Sequence, residues 1–167
     1  EIGVQRAEAA EKSLEDSFSI LFGQGLVMMH GALEALVKDL VAAWLANAPS
    51  VMNSDRFPSL KVVLADYLRL EEGMARCSFL VDEIEHQTKA KWLTGVNRFE
   101  TILGTVGLDG EVDDDTRTGI FELQSIRNVV VHRKSIADRK LAESCPQLGF
   151  QVGSRIVVSS QMYEHYS

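Results

Sequence analysis

Hydrophobic residues recur at helical spacing along most of this chain. The first helix is predicted from about Gln5 to Ala48, where Asn47 and Pro49 end it. It is either one long helix or two helices with a bend near Gly23 and Gly25, because glycine weakens a helix interior. Its apolar face is carried by Leu33, Leu36, Val37, Leu40, Val41 and Trp44.

The middle of the chain predicts three further helices. The second begins just after Pro58, with Ser59 as its cap, and ends at Glu71-Glu72-Gly73. The third begins near Met74 and is followed by a loop or short turn that contains Lys89, Lys91 and Trp92. The fourth carries apolar residues from Val96 to Val106 and ends at Gly107.

A fifth helix is predicted from about Thr116 to His132. Asp113, Asp114 and Asp115 precede it, and negative charge is favourable at a helix N-terminus. Its apolar face consists of Ile120, Leu123, Ile126 and Val130.

The pattern changes after His132, where glycines and short apolar runs replace the helical period. Residues 149–152 and 156–158 are predicted to pair as a small hairpin. The alternative is that residues 149–167 form a truncated C-terminal edge, with the chain stopping before a final helix. The sequence therefore predicts an all-α fold, a helical bundle with a small C-terminal β or irregular appendage.

Composition indicates one compact domain spanning residues 1–167. With 167 residues and 46% hydrophobic content, the chain is long enough for one hydrophobic core but too short for two domains that each bury a sizeable core. The longest apolar run, Leu21 to Met29, contains Gly23, Gln24 and Gly25, and no run approaches the roughly 20 residues that span a bilayer. Cys77 and Cys145 match no zinc or disulfide pattern. We therefore expect a cytoplasmic protein without a membrane segment.

No pattern in the sequence calls for a metal or another cofactor. His30 and Glu34 lie four residues apart, but no HExxH motif accompanies them. The acidic stretch 109–115 lacks the spacing of an EF-hand and is better explained as a helix start. Gly23-Gln24-Gly25 lacks the lysine and the serine or threonine of a P-loop. We expect no cofactor and no metal site.

One segment carries the candidate chemistry: Arg127-Asn128-Val129-Val130-Val131-His132. Polar side chains among apolar ones cost free energy unless they have partners or a function. Asn128 and His132 are four residues apart and share a helix face. Arg127 lies about 140° around an ideal helix from His132. The ends of these two side chains therefore meet only if the helix ends near His132 or a second chain supplies half of the site.

These residue types suit cleavage of an RNA phosphodiester bond. A histidine can take the proton of a ribose 2′-hydroxyl or protonate the leaving oxygen. An arginine can hold the phosphate with two hydrogen bonds, and the Asn128 amide can orient either group. A net charge of −7 argues against broad capture of nucleic acid, but a local basic patch follows the motif: Arg133, Lys134, Arg139 and Lys140. Arg133 and Lys134 are the predicted substrate-binding residues.

The six-residue segment, late in a helical chain, resembles the arginine-to-histidine motif of the HEPN family, including the polar residue after the arginine. The helix around residues 31–40 and the approach through residues 102–108 and 122–126 are similar to such domains as well. The resemblance implies a metal-independent ribonuclease with Arg127, Asn128 and His132 as catalytic residues. It also implies a homodimer in a toxin–antitoxin or antiviral system, with RNA and an antitoxin or regulatory protein as partners.

The resemblance leaves a second function open. Other HEPN members have no known activity, so the alternative function is that of an inactive module for dimerisation, partner binding or nucleotide binding. HEPN toxins that are silenced by nucleotide transfer carry a tyrosine two residues after the histidine, and this chain has Lys134 there. A structural role is also open, with Arg127 in an ion pair with Glu122 and His132 favoured by the helix dipole.

Overall fold

A computed structural model describes the backbone from Ile2 to Ser167, and the side chains of Leu14 and of residues 18–167. Within that range the chain forms seven α-helices, three short 3₁₀ turns and no strand, so the all-α prediction is confirmed. The helices are α1 (Ile2–Asn47), α2 (Leu64–Arg69), α3 (Met74–Gln87), α4 (Val96–Gly104), α5 (Asp114–His132), α6 (Arg139–Ser144) and α7 (Ser160–Tyr166).

The chain divides into two compact units. The first contains residues 1–31 and 122–167, and the second contains residues 32–121. The single domain expected from composition stays a prediction.

In the second unit, apolar side chains from α1, α3, α4 and the turn after α3 form one core. Its buried members are Val41, Ala42, Leu45, Cys77, Val81, Ala90, Ile102 and Val106. Beside it lies a largely buried ion network, in which the carboxylate of Glu85 accepts hydrogen bonds from Arg98 and pairs with Lys38 at 2.8 Å. Because both cations contact one carboxylate, its burial is compensated.

Helix α2 is much shorter than the pattern predicted. It covers only Leu64–Arg69, whereas we expected a helix from Ser59 to Glu72. The side chain of Gln87 explains the difference, since it accepts a hydrogen bond from the backbone N–H of Lys61 at 2.8 Å and donates one to the Lys61 carbonyl at 2.8 Å. An amide from α3 thus replaces the backbone hydrogen bonds that a helix would make at this position.

In the first unit, helix α1 continues through Gly23 and Gly25 as one α-helix. Gly25 leaves room for the C-terminal segment, because a Cβ there would lie 2.6 Å from Cε2 of Tyr163. A Cβ at Gly23 would lie 3.8 Å from Cγ2 of Val158, which is an ordinary contact distance. The Tyr163 ring also stands 5.5 Å from that of Phe22. Close approach of the Tyr163 ring accounts for Gly25, and no comparable contact in the described part of the chain accounts for Gly23.

The predicted hairpin of residues 149–152 with 156–158 is absent from the described chain. One isolated antiparallel bridge joins Ile136 to Arg155 instead. The C-terminal appendage is irregular up to Ser159 and then forms helix α7, so the chain does not stop before a final helix as expected. Helix α6, which the sequence did not predict, begins where the Asp138 carboxylate accepts a hydrogen bond from the Leu141 backbone N–H at 2.9 Å.

Helix α1 is also unusually apolar. Its segment Phe18–Asn47 spans 30 residues and is long and apolar enough, by length and composition, to cross a membrane. This corrects the expectation that no segment reaches that length. Core helices of soluble proteins and signal sequences share the property, so a cytoplasmic protein without a membrane segment stays a prediction.

Candidate active site at the end of helix α5

Helix α5 carries all three predicted catalytic residues, and its start is set by an aspartate. The Asp113 carboxylate accepts hydrogen bonds from the backbone N–H and the hydroxyl of Thr116, each at 2.8 Å. These bonds lower the pKa of Asp113 below its usual value. The predicted fifth helix is thereby confirmed.

The inner face of the helix is buried through Leu123, Ile126 and Val129. Arg127 and Asn128 are half-buried, and His132 is exposed. The burial pattern therefore fixes the orientation of the helix and leaves the polar motif open to solvent at its C-terminal end.

The three motif side chains meet within one chain. Nη1 of Arg127 donates a hydrogen bond to Oδ1 of Asn128 at 3.1 Å, and the same nitrogen lies 3.3 Å from Nε2 of His132. Of the two ways in which Arg127 and His132 could converge, the structure shows the first: the helix ends at His132. A second chain is not needed to bring these two side chains together.

The backbone turns sharply after His132. The Ser135 N–H bonds back to the Val129 carbonyl at 3.2 Å, as does the Arg133 N–H at 2.9 Å. Lys134 and Ser135 both adopt left-handed backbone conformations, with φ of 53° and 60°, which non-glycine residues rarely occupy. Strained backbone of this kind concentrates at functional sites.

The contact between Arg127 and His132 restricts the state of the imidazole. A guanidinium can only donate hydrogen bonds, so Nε2 of His132 must present its lone pair to Arg127. The neutral ring then carries its proton on Nδ1. A lone pair on Nε2 is what a general base requires.

The ion pair between Arg127 and Glu122 that the sequence left open is not formed. The buried Glu122 carboxylate instead accepts hydrogen bonds from the Tyr166 hydroxyl, at 2.6 Å, and from the Gln147 amide. Burial, together with this hydrogen bond to Glu122, raises the pKa of Tyr166 well above its usual value. Helix α7 is thereby attached to α5, one turn before Arg127.

The two predicted substrate-binding residues differ in their surroundings. Arg133 lies 3.6 Å from the carboxylate of Asp138. Lys134 is exposed and has no ion-pair partner in the part of the chain that the structure describes. A further exposed cation, Arg155, sits on the bridge to Ile136, and the sequence pattern did not single it out.

The acidic residues weighed as metal ligands have other contacts. Glu34 pairs with Arg98, and Asp109 pairs with Arg56 at 3.0 Å. Among the side chains that the structure describes, no group of three histidine, cysteine, aspartate or glutamate residues could hold a metal ion.

Comparison with known proteins identifies no family. No protein-family model matches the chain, and no solved structure matches it. ATP synthase subunit alpha of Chromohalobacter salexigens is 25% identical over 134 residues, which cover 80% of this chain and 25% of that protein. The chain thus spans about a quarter of the length of the curated relative it matches, and at this identity the likeness shows neither a family nor an activity.

Proposed function

We propose that this chain is a metal-independent endoribonuclease of the HEPN type. The observation that carries the proposal is the contact of Arg127 with both Asn128 and His132 at an open helix end. It places a phosphate-binding cation beside a histidine whose Nε2 presents a lone pair. Both groups can reach one RNA phosphodiester and its neighbouring ribose.

The proposed reaction needs no group beyond these side chains. Nε2 of His132 takes the proton of the ribose 2′-hydroxyl, and the 2′-oxygen attacks the adjacent phosphorus. Arg127 turns from the ring to the phosphate and stabilises the charge that develops on its oxygens. The bond from phosphorus to the 5′-oxygen breaks, and that oxygen receives a proton from His132 or water. The products are a 2′,3′-cyclic phosphate and a 5′-hydroxyl end.

The wider setting of the proposal comes from the HEPN resemblance. It implies a homodimer in a toxin–antitoxin or antiviral system, with an antitoxin or regulatory protein as a partner. Because Arg127 and His132 already meet within one chain, the dimer would serve to position RNA or complete its binding surface.

The test compares cleavage of labelled single-stranded RNA in EDTA by the natural protein and two variants. His132→Ala should lower the cleavage rate by roughly 100-fold or more, because the base is lost. His86→Ala, which removes an exposed histidine from α3, should leave the rate unchanged. Circular dichroism checks that both variants fold.

An unchanged cleavage rate in the His132→Ala variant would contradict the proposal. A natural protein that cleaves no RNA, but loses a binding partner when Arg127 or His132 is replaced, would favour the inactive binding module instead.

A further inference from the structure

Positive charge is concentrated in one part of this acidic chain. Residues 122–167 contain six basic and four acidic residues, whereas the rest of the chain contains eleven basic and twenty acidic residues. A polyanion attracted to this protein would therefore meet the C-terminal segment in preference to the remainder.

Ion pairs within the segment leave only some of these charges available. Arg139 pairs with Glu143 at 2.6 Å, and Arg133 lies near Asp138. Lys134, Lys140 and Arg155 are exposed and have no ion-pair partner in the described part of the chain. A cation without an ion-pair partner can bind a phosphate without first breaking an ion pair with a carboxylate.

Backbone hydrogen bonds hold Arg155 next to the turn that follows the motif. The Ile156 N–H bonds to the Ser135 carbonyl at 2.7 Å, and the Ala137 N–H bonds to the Ser154 carbonyl at 2.8 Å. Arg155 is consequently the bridge partner of Ile136, and Ile136 lies four residues after His132. Side chains of such partners stand on one face about 5 Å apart, and Ile136 is 40% exposed, so that face opens to solvent.

We infer that Arg155, together with Lys134, forms a second phosphate site beside the Arg127–His132 pair. The inference rests on the proposed function and extends it: the substrate is single-stranded RNA with a phosphate on each side of the reacting ribose. Arg127 binds the phosphate that is cleaved, and Arg155 binds a flanking one. Arg155 is a substrate-positioning residue, since it does not contact the reacting atoms.

The first experiment measures binding of a short single-stranded RNA whose 2′-oxygens are methylated, so that it cannot be cleaved. Arg155→Gln should weaken binding roughly fivefold and make the salt dependence shallower, by about 0.7 in the log–log slope, because one phosphate contact is lost. Lys140→Gln removes the same charge from an exposed and unpaired position on α6 and should change binding less than twofold. Equal effects of the two variants would overturn the inference.

The second experiment separates a flanking phosphate from the cleaved one. A dinucleoside monophosphate contains only the cleaved phosphate, so the natural protein and Arg155→Gln should cleave it at the same rate. A trinucleotide adds a flanking phosphate, and Arg155→Gln should raise its KM several-fold without changing kcat. A loss that is as large on the dinucleoside monophosphate would also overturn the inference.

The two proposals fail in different ways. If cleavage depends on His132 but Arg155→Gln behaves like Lys140→Gln, the second phosphate site is wrong and the ribonuclease stands. If the protein binds RNA without cleaving it, the binding comparison still tests Arg155. A natural protein that neither binds nor cleaves RNA contradicts both.

Discussion

Nη1 of Arg127 lies 3.3 Å from Nε2 of His132, although the two residues are five positions apart on one helix. Both residues belong to α5, which ends at His132. Asn128 takes part as well, since its Oδ1 accepts a hydrogen bond from the same nitrogen at 3.1 Å. The guanidinium is thus held in place before any substrate arrives.

Replacing Asn128 with alanine should release the Arg127 side chain without removing either proposed catalytic group. We expect kcat for RNA cleavage to fall roughly 10- to 100-fold, since a small misplacement of a catalytic side chain has this effect. Asn128→Asp keeps an oxygen for Arg127 and should retain more of kcat, while its negative charge raises KM. A loss with Asn128→Ala as complete as that of His132→Ala would assign Asn128 a direct role in the chemistry.

Gly25 should tolerate a side chain less well than Gly31 in the same helix. A Cβ at Gly25 would meet the Tyr163 ring at 2.6 Å, so Gly25→Ala should displace that ring and lower the free energy of unfolding by about 1–3 kcal/mol. A Cβ at Gly31 would meet nothing within 4 Å, and Gly31→Ala should raise the free energy of unfolding by about 1 kcal/mol through helix propensity. Urea denaturation of both variants measures the difference, and equal effects would contradict the close approach of Tyr163.

The Tyr166 hydroxyl should stabilise the fold through Glu122. Tyr166→Phe leaves a buried carboxylate with one donor fewer, and we expect it to cost about 1–3 kcal/mol. Tyr163→Phe is the matched control, because Tyr163 contributes ring contacts and its hydroxyl has no hydrogen bond in the described structure. Thermal denaturation should show a lower Tm for Tyr166→Phe alone, and an unchanged Tm would contradict the role of this hydrogen bond.

Stability should depend on pH through Glu85. Burial acts to raise the pKa of its carboxyl, but hydrogen bonds and charges from Lys38 and Arg98 outweigh burial and lower it below the ordinary 4.5. The folded protein therefore holds fewer protons on this group than the unfolded chain, and the stabilisation is present above pH 4.5 and lost as pH falls through the folded-state pKa.

Glu85→Gln should therefore lower the free energy of unfolding at pH 7 by roughly 3 kcal/mol, and the difference from the natural protein should shrink below pH 4.5. Glu72→Gln breaks an ion pair of a carboxylate that is 86% exposed and should have an effect under about 1 kcal/mol at any pH. Denaturant titrations from pH 3 to pH 7 test both variants. A pH-independent loss for Glu85→Gln would show that packing, and not charge, is what Glu85 provides.

The sequence predicted correctly those helices whose first or last residue is set by a neighbouring capping residue or proline. The cap at Asp113 and the break at Pro49 both act within a few residues, and the structure has α5 and α1 close to their predicted bounds. A comparable signal at Asp138 precedes α6 and could have revealed that helix. The second helix was overestimated because its pattern says nothing of Gln87, which lies 26 residues away and hydrogen-bonds to Lys61.

The candidate site was predictable in its residues but not in its geometry. The motif spacing singled out Arg127, Asn128 and His132, while an ideal helix kept two of them apart. The contact joins side chains five residues apart on α5, and the left-handed turn that follows falls on Lys134 and Ser135, neither of which is a residue that marks such a turn. Arg155 was missed because only the bridge to Ile136 brings it there.

The turn after α5 also shows where stability and function would compete in this protein. Glycine adopts the conformation of Lys134 and Ser135 freely, whereas other residues lose roughly 1 kcal/mol each there. A variant selected only for thermal resistance would therefore gain glycines at these two positions. It would give up, in exchange, the positive charge of Lys134, two residues after His132.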